Sequence, residues 1–90
     1  MEEYNRDLII KILQELDIAE KDNKVFGGTE ETIKGYSQNE INHHCAYLVN
    51  RGFANAKIKP HRNNQNDKSV IDVYYLSELT EIGRFFLEKS

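Results

Sequence analysis

The chain has 90 residues, a formal net charge of −3, 39% hydrophobic residues and one cysteine. This length predicts a single small domain over residues 1–90 with a modest core. The composition excludes a membrane helix, since no run of about 18 apolar residues occurs, and an internal disulfide, since one cysteine has no partner. The charged N-terminal residues lack the pattern of a secretion signal, so we expect a cytoplasmic protein.

The charge is distributed unevenly along the chain. Residues 1–31 carry nine acids and four bases, residues 32–68 two acids and six bases, and residues 69–90 four acids and two bases. A basic middle segment is typical of a nucleic-acid-binding surface, and chance clustering in a solvated loop is the alternative. The negative total argues mildly against strong non-specific binding to DNA.

The first predicted element is a helix at about residues 4–20. Its apolar residues recur at the helical spacing i, i+1, i+4, i+5, i+8 and are Leu8, Ile9, Ile12, Leu13 and Leu16. A polar loop at 21–24, an apolar pair and a glycine break follow. Residues 29–35 predict a short helix, capped by Thr29 and ended by Gly35, with a short strand at 32–34 as the alternative.

The second main helix is predicted from Gln38 to Arg51. Ser37 and Glu40 have the S-x-x-E spacing of a capping box. Gly52 supplies the left-handed turn that ends the helix. The apolar face that we expect in the core consists of Ile41, Cys45, Leu48 and Val49, with His44 at its edge.

A β-hairpin is predicted next. A strand at 53–59, ended by Pro60, leads into a polar turn at 60–68 and a second strand at 69–76. Residues 77–78 are predicted to break this second strand.

The order of these elements predicts the fold class. Thr80 can cap a last short helix after the hairpin. A helix-turn-helix followed by a hairpin indicates an α+β fold, a winged helix-turn-helix with a three-helix core, a β-hairpin wing and a short C-terminal helix.

Two segments resemble a known family. Gly35-Tyr36-Ser37, Glu40-Ile41-Asn42, His44, Leu48-Val49 and Gly52-Phe53 are similar to the pattern G-Y-S-x-x-E-I-N-x-H-L-x-x-L-I-x-x-G-L, and the segment 79–87 is similar to L-T-x-x-G-x-x-F-L. These patterns resemble an uncharacterised family of short winged-helix proteins, a domain of unknown function found in phages and prophages of Gram-positive bacteria. The resemblance spans nearly the whole chain. It implies a winged helix and carries no established function.

Three positions depart from the family pattern. Cys45 stands where a leucine is usual and Ala54 where an aliphatic residue is usual, so both keep a core role. Ala46 stands where a basic residue is frequent, which removes one contact to a phosphate.

The outward face of the second helix is the first candidate site. Its residues are amides, an imidazole, a phenol and an alanine: Gln38, Asn39, Asn42, His43, Ala46, Tyr47 and Asn50. Asparagine can bond adenine edges, and histidine can donate to bases or phosphates. We predict that this helix enters the major groove of double-stranded DNA, and an ordinary solvated face is the alternative.

The hairpin is the second candidate site. Its polar and basic residues are Lys57, Lys59, His61, Arg62, Asn63 and Lys68. They are predicted to contact phosphates as a wing, and a solvated loop is the alternative.

No feature of the sequence predicts catalysis, a cofactor or a metal site. His43, His44 and Cys45 are adjacent on a helix, so their side chains point about 100° apart and cannot converge on one ion. No paired cysteine or histidine spacing of a zinc site occurs, and Gly27-Gly28 lacks the rest of a phosphate-binding motif. We therefore expect a protein that is not an enzyme.

Two functions remain open at this point. The first is sequence-specific DNA binding in transcriptional or phage regulation. The second is a non-catalytic protein-interaction module on a winged-helix scaffold, because fold alone does not determine function. A homodimer is a further expectation, through the aromatic residues Tyr74, Tyr75, Phe85 and Phe86.

Overall fold

The computed structural model describes residues 4–27, 33–64 and 67–90, and the side chains of these except 61–71. Its elements are α1 (Arg6–Lys21), β1 (Phe26–Gly27), α2 (Gln38–Asn50), β2 (Ala54–Asn64), β3 (Asp67–Leu79) and α3 (Glu81–Glu88). Within the described residues these are three helices and one antiparallel sheet of order β1-β3-β2. The predicted α+β class is confirmed.

Helix α1 supplies the largest share of the core. It begins at Asn5, whose side chain accepts the N–H of Leu8 at 3.2 Å. Its five predicted apolar residues are all buried, at Leu8, Ile9, Ile12, Leu13 and Leu16. The helical spacing predicted this buried face correctly because its apolar residues repeat over more than two turns.

Helix α2 begins and ends where local signals place it. The Ser37 hydroxyl accepts the N–H of Glu40 at 3.1 Å, and the Glu40 carboxylate accepts the N–H of Ser37 at 2.9 Å. These two bonds form the predicted capping box. The helix ends at Asn50, Arg51 is its C-cap, and Gly52 follows with φ of +78°. The predicted start is confirmed, the predicted end is one residue too late, and Ile41, His44, Cys45 and Leu48 are buried.

The segment before α2 differs from the predicted short helix in its described part. Residues 29–32, including the predicted cap Thr29, lie outside the described residues. Ile33 and Tyr36 close a tight turn, in which the Tyr36 N–H donates to the Ile33 carbonyl at 3.1 Å. Gly35 lies in this turn with φ of +93°, a conformation that glycine adopts without strain. The last residues of the predicted helix are therefore a turn.

Strand β1 was not predicted. Phe26 pairs with Leu76 and Gly27 with Tyr75 in β3. Two residues carry no periodicity, so only the neighbouring strand makes them a strand. Gly27 has φ of +119°, and a Cβ there would overlap the carbonyl oxygen of Tyr74, so a glycine is required at this approach.

The hairpin is longer and more regular than predicted. Strand β2 continues through Pro60 to Asn64, and β3 begins at Asp67, so the predicted polar turn at 60–68 is wrong. The predicted break at 77–78 is also wrong, because β3 continues to Leu79. Asn55 pairs with Glu78 and Ala56 with Leu76, so the register absorbs Ser77 as a bulge.

Pro60 does not end β2 because its position in the ladder needs no N–H. The N–H of Tyr74 donates to the side chain of Asn42, so Tyr74 does not form a hydrogen-bonded pair with its partner Ile58. Bonded and non-bonded pairs alternate along an antiparallel ladder. Pro60, two residues from Ile58, is therefore also at a non-bonded position on an edge strand, where proline is tolerated.

We call residues 57–64 and 67–72 of the hairpin the arm. Those of its side chains that the structure describes, at 57–60 and 72, are exposed and lie outside the core. Eight residues of β2 at about 3.3 Å each make the arm about 25 Å long. The body of the domain consists of the three helices packed on β1 and the inner half of the hairpin.

Candidate nucleic-acid interface

The described polar face of α2 has three exposed amides. Gln38, Asn39 and Asn50 are exposed, and Ala46 between them is half-buried. All four lie along one side of the helix. Of the seven residues predicted to face DNA, these four have side chains that make no described hydrogen bond or ring contact with the rest of the fold.

Asn42 has a structural role that the sequence did not indicate. Its Nδ2 donates to the carbonyl of Asp72 at 2.9 Å, and its Oδ1 accepts the N–H of Tyr74 at 3.0 Å. These groups belong to the edge of β3 beyond the two-residue strand β1, so the amide takes the place of a further strand residue. Asn42 was predicted to read a base, but both polar atoms of its amide are bonded to β3.

His43 and Tyr47 are half-buried beneath a residue that precedes α1. The ring of Tyr4 stacks on His43, with centroids 5.0 Å apart, and on Tyr47, with centroids 3.9 Å apart. The guanidinium of Arg51 lies 5.1 Å from the centre of the Tyr47 ring. The outward aromatic residues of α2 thus form a stack with Tyr4, which itself remains 42% exposed.

His44 joins the two long helices. Its Nδ1 lies 2.7 Å from the carbonyl of Glu40, and its Nε2 lies 2.9 Å from the backbone nitrogen of Asn5. A backbone N–H can only donate, so Nε2 is the acceptor and Nδ1 carries the proton. His44 is 4% exposed, as expected for a histidine at the edge of the core. In this neutral form it bonds to the residue that caps α1.

The predicted wing residues all lie on the arm. Lys57 and Lys59 are exposed and, two residues apart on β2, share one face. The Lys59 ammonium lies 5.4 Å from the centre of the Tyr75 ring. The backbones of His61, Arg62 and Asn63 belong to β2 and that of Lys68 to β3, and their side chains lie outside the described part.

Three groups near the starts of α1 and α2 have shifted pKa values: Asp7, Tyr36 and Glu40. The backbone N–H and the hydroxyl of Ser37 lower the pKa of the Glu40 carboxyl. Hydrogen bonds from Lys11 and Tyr36 lower the pKa of Asp7, and the same contact with Asp7 raises the pKa of Tyr36. Each shift has a hydrogen bond as its first cause, and that of Glu40 belongs to the cap of α2.

The described part of the chain has neither a metal-binding cluster nor a membrane-spanning helix. No group of three or more His, Cys, Asp or Glu side chains in 4–27, 33–64 and 67–90 is arranged to hold a metal ion. None of the helices in this part of the chain is both long and apolar enough to cross a bilayer.

Comparison with known proteins decides the family. The family described as "Hypothetical protein (DUF2513)" matches residues 3–90. The chain belongs to this family. No curated protein and no solved structure matches it. Membership of the DUF2513 family confirms the resemblance to an uncharacterised family. The family description names no activity, so the geometry of the domain is the basis for inferring a function.

Sequence reasoning missed two residues of this region. Tyr4 was placed inside the first helix, and Asn42 was assigned to the outward face. Both make contacts with residues at least 30 positions away, so no local pattern indicates them. Asn42 lies about 100° from Ile41, at the boundary between the two faces of α2. This position is the one signal that could have indicated a structural role for its side chain.

Proposed function

We propose that this DUF2513 domain is a winged helix-turn-helix that binds double-stranded DNA, with the arm as its wing. The observation that carries the proposal is the arm itself, a basic two-stranded ribbon of about 25 Å whose described side chains, at 57–60 and 72, are all exposed. A ribbon of this kind fits the major groove or follows the phosphate backbone.

The charge of the arm supports an anionic partner. Its charged residues are four bases, Lys57, Lys59, Arg62 and Lys68, and two acids, Asp67 and Asp72. The body has the opposite balance, since the whole chain is at −3. A cationic arm on an anionic body would orient the domain on DNA with the arm inward.

Helix α2 would supply the base contacts. Gln38, Asn39 and Asn50 present exposed amides, and amide side chains bond adenine edges with two hydrogen bonds. Asn42 is left out of this set because its amide is bonded to β3. The resemblance to phage and prophage proteins leads us to propose a role in phage or transcriptional regulation.

The test is selection of DNA from a random double-stranded pool at about 50 mM and 200 mM salt. Each phosphate contact contributes about 0.9 to the slope of log K against log salt. We expect the pair Lys57→Ala and Lys59→Ala to reduce that slope by about 1.8 across all sequences. The matched control is the pair Lys24→Ala and Lys34→Ala, two exposed lysines outside the arm. Equal losses from the two pairs would contradict the role of the arm.

Sequence preference is tested separately on α2. Asn39→Ala and Asn50→Ala should each relax the choice of base at one position of the selected site, by about 1–3 kcal/mol in discrimination. If both variants instead lose affinity equally for all DNA sequences, these residues contact the DNA backbone, and the proposal that α2 reads bases in the major groove is contradicted.

A protein-interaction module is the second candidate. It is favoured by the stack of Tyr4 on His43 and Tyr47, which covers part of the face that would read bases. In this case the unaltered protein would bind no DNA even at about 50 mM salt, and the arm variants would have no effect on its partner. Retention of one enriched DNA sequence would exclude this second candidate.

A further inference from the structure

One stripe of α2 carries an aromatic stack and a base. His43, Tyr47 and Arg51 are four residues apart, so they follow one another along the same side of the helix. The Tyr4 ring covers the first two, with its centroid 5.0 Å from that of His43 and 3.9 Å from that of Tyr47. The Arg51 guanidinium lies 5.1 Å from the centre of the Tyr47 ring. Tyr4 and Arg51 therefore both contact Tyr47.

Tyr4 is a fixed part of this surface. The next residue, Asn5, donates its backbone N–H to Nε2 of His44 at 2.9 Å, and its side chain accepts the N–H of Leu8. These bonds hold the backbone beside Tyr4, and stacking on two rings of α2 holds the Tyr4 ring. A partner that approaches α2 from this side therefore meets Tyr4 before the half-buried rings beneath it.

Tyr4 and Arg51 have polar groups available for a partner. Tyr4 is 42% exposed, and Arg51 is exposed at the C-cap of α2. Among the described residues, none forms a hydrogen bond with the Tyr4 hydroxyl, and no carboxylate pairs with the Arg51 guanidinium. A hydroxyl and a guanidinium that share one supporting ring are hydrogen-bond donors of the kind that bind phosphate oxygens.

The other exposed aromatic ring in the described part of the chain has a different charge environment. Phe85 of α3 is 62% exposed, and its surroundings contain two carboxylates and two bases, at Glu81, Glu88, Arg84 and Lys89. Arg84 is already paired with two carboxylates of α1, so this surface is acidic on balance. An anionic partner is therefore attracted to the stripe on α2 and not to α3.

Arg51 and the arm lie at opposite ends of α2. Asn42, in the first half of the helix, donates to the Asp72 carbonyl at the base of the arm. Arg51 follows nine positions later, about 13 Å further along the helix axis. The major groove is about 12 Å wide, so a helix that lies in it meets a phosphate backbone on each side. The arm reaches one backbone, and Arg51 is placed for the other.

We propose that Tyr4 and Arg51 bind a phosphate of the DNA backbone across the major groove from the arm, a contact that rests on the proposed function. The Arg51 guanidinium and the Tyr4 hydroxyl both donate to oxygens of this phosphate. Such a contact fixes the position of α2 in the groove and carries no base preference. The stack on α2 is then part of the DNA interface.

The charge of Arg51 is tested on the DNA that the unaltered protein selects. Arg51→Ala should weaken binding about tenfold and reduce the slope of log K against log salt by about 0.9, equally for all sequences. Arg51→Lys keeps the charge and should keep the slope. Lys24→Ala, which removes an exposed base between α1 and β1, is the control and should leave the slope unchanged. An unchanged slope for Arg51→Ala would overturn the proposal.

Independence from the arm gives a second check on Arg51. Contacts on opposite backbones share no partner, so their effects should add. Arg51→Ala combined with Lys57→Ala and Lys59→Ala should reduce the slope by about 2.7. If the combined variant loses no more than the arm pair alone, Arg51 does not make a phosphate contact of its own.

The hydroxyl of Tyr4 is tested by removing it and keeping the ring. Tyr4→Phe should weaken binding about threefold to tenfold with an unchanged slope, because a neutral donor releases no counterion. Tyr47→Phe removes a hydroxyl from the half-buried ring beneath and should have no effect. Equal losses from the two substitutions would overturn the assignment to Tyr4. Tighter binding by Tyr4→Ala would also overturn it, because Tyr4 would then obstruct DNA.

The same measurements separate this proposal from the proposed function. If the unaltered protein binds DNA and the arm pair reduces the slope, but Arg51→Ala and Tyr4→Phe change nothing, only the contact at Tyr4 and Arg51 is wrong. If the unaltered protein binds no DNA even at about 50 mM salt, the proposed function is wrong and this contact is wrong with it.

Discussion

At the scale of single residues, the residues that carry the family resemblance have contacts inside the fold. Ser37 and Glu40 cap α2, Asn42 bonds the edge of β3, and His44 bonds the residue that caps α1. The Tyr36 hydroxyl donates to the Asp7 carboxylate at 3.0 Å. The motif therefore encodes the joining of α1, α2 and the sheet, which explains why it indicates a fold more strongly than an activity.

Asn42→Ala should destabilise the domain. The substitution removes two hydrogen bonds and leaves the Tyr74 N–H without its acceptor, so we expect a loss of about 1–3 kcal/mol in the free energy of unfolding. Urea denaturation followed by circular dichroism measures it. Asn39→Ala, an exposed neighbour on the same helix, should stay within about 0.5 kcal/mol. Equal stabilities would mean that the amide of Asn42 contributes little to the sheet edge.

Gly83→Ala should also destabilise the domain, against the ordinary helix preference. Alanine favours a helix over glycine by about 1 kcal/mol when the site is exposed. Here the new methyl group would overlap the Phe53 carbonyl, and we expect a net loss of about 2 kcal/mol. Thermal unfolding measures it, with Glu88→Ala on the exposed side of α3 as the control. A higher melting temperature would show that α3 can shift outward freely.

At the scale of elements, the capping box links the stability of α2 to pH. The Ser37 N–H and hydroxyl lower the pKa of Glu40 in the folded state. A lowered pKa adds stability above the unfolded value, about 4.3, and this contribution is lost as pH falls through the folded value. Glu40→Gln should therefore flatten the fall in stability between about pH 5 and pH 3. Denaturation series at each pH measure the slope, and an unchanged slope would contradict the assignment.

Shortening the arm should separate binding from folding. Replacing residues 62–70 by a two-residue Asn-Gly turn would join the paired residues His61 and Ile71 and keep the contact of Asn42 with Asp72. We expect the free energy of unfolding to change by less than about 1 kcal/mol, because the described core lies in the helices, β1 and the inner half of the hairpin, which the variant keeps. DNA affinity should fall about tenfold or more. If the shortened protein binds DNA with unchanged affinity, the arm is not part of the DNA interface.

Elements with strong local signals were predictable, and elements defined by partners were not. The five apolar residues of α1, the capping box of α2 and the Thr80 cap of α3 each act within a few residues of the chain. Strand β1 exists only because β3 lies beside it. Pro60 locally predicts the end of a strand, but β2 continues because Pro60 lies at a non-bonded position of the ladder. In the candidate interface, the sequence predicted that the lysines lie on the hairpin, but it did not predict that the Asn42 amide is hydrogen-bonded to β3.

At the scale of the whole molecule, a few long-range contacts hold α1, α2, β3 and α3 together. Glu20 of α1 accepts the N–H of Leu79 at the end of β3 at 3.0 Å and also pairs with Arg84 of α3. His44 and Asn42 connect α2 to the start of α1 and to β3. These contacts converge on the body, and of the arm they include only its base, where the Asp72 carbonyl accepts from Asn42.

Hydrogen exchange should divide the chain along this boundary. Local opening is least costly where few buried apolar contacts oppose it. We expect the backbone amides of Lys57 and Lys59 to exchange at least about tenfold faster than those of Leu13 and Leu16 in α1, whose side chains are fully buried. Native-state exchange followed by NMR measures both sets in one sample. Equal protection would mean that the arm unfolds only together with the body.

The sequence by itself determined the class of the domain, the buried face of α1, the start of α2, the start of α3 and the concentration of positive charge after α2. These features depend on the spacing of apolar residues, on caps and on composition, which act over a few residues. Only the tertiary structure decided the full length of the hairpin, the existence of β1, the roles of Asn42 and Tyr4, and which aromatic residue of α3 faces solvent. Each of these depends on a partner distant in the chain, and local chemistry does not specify which distant groups meet.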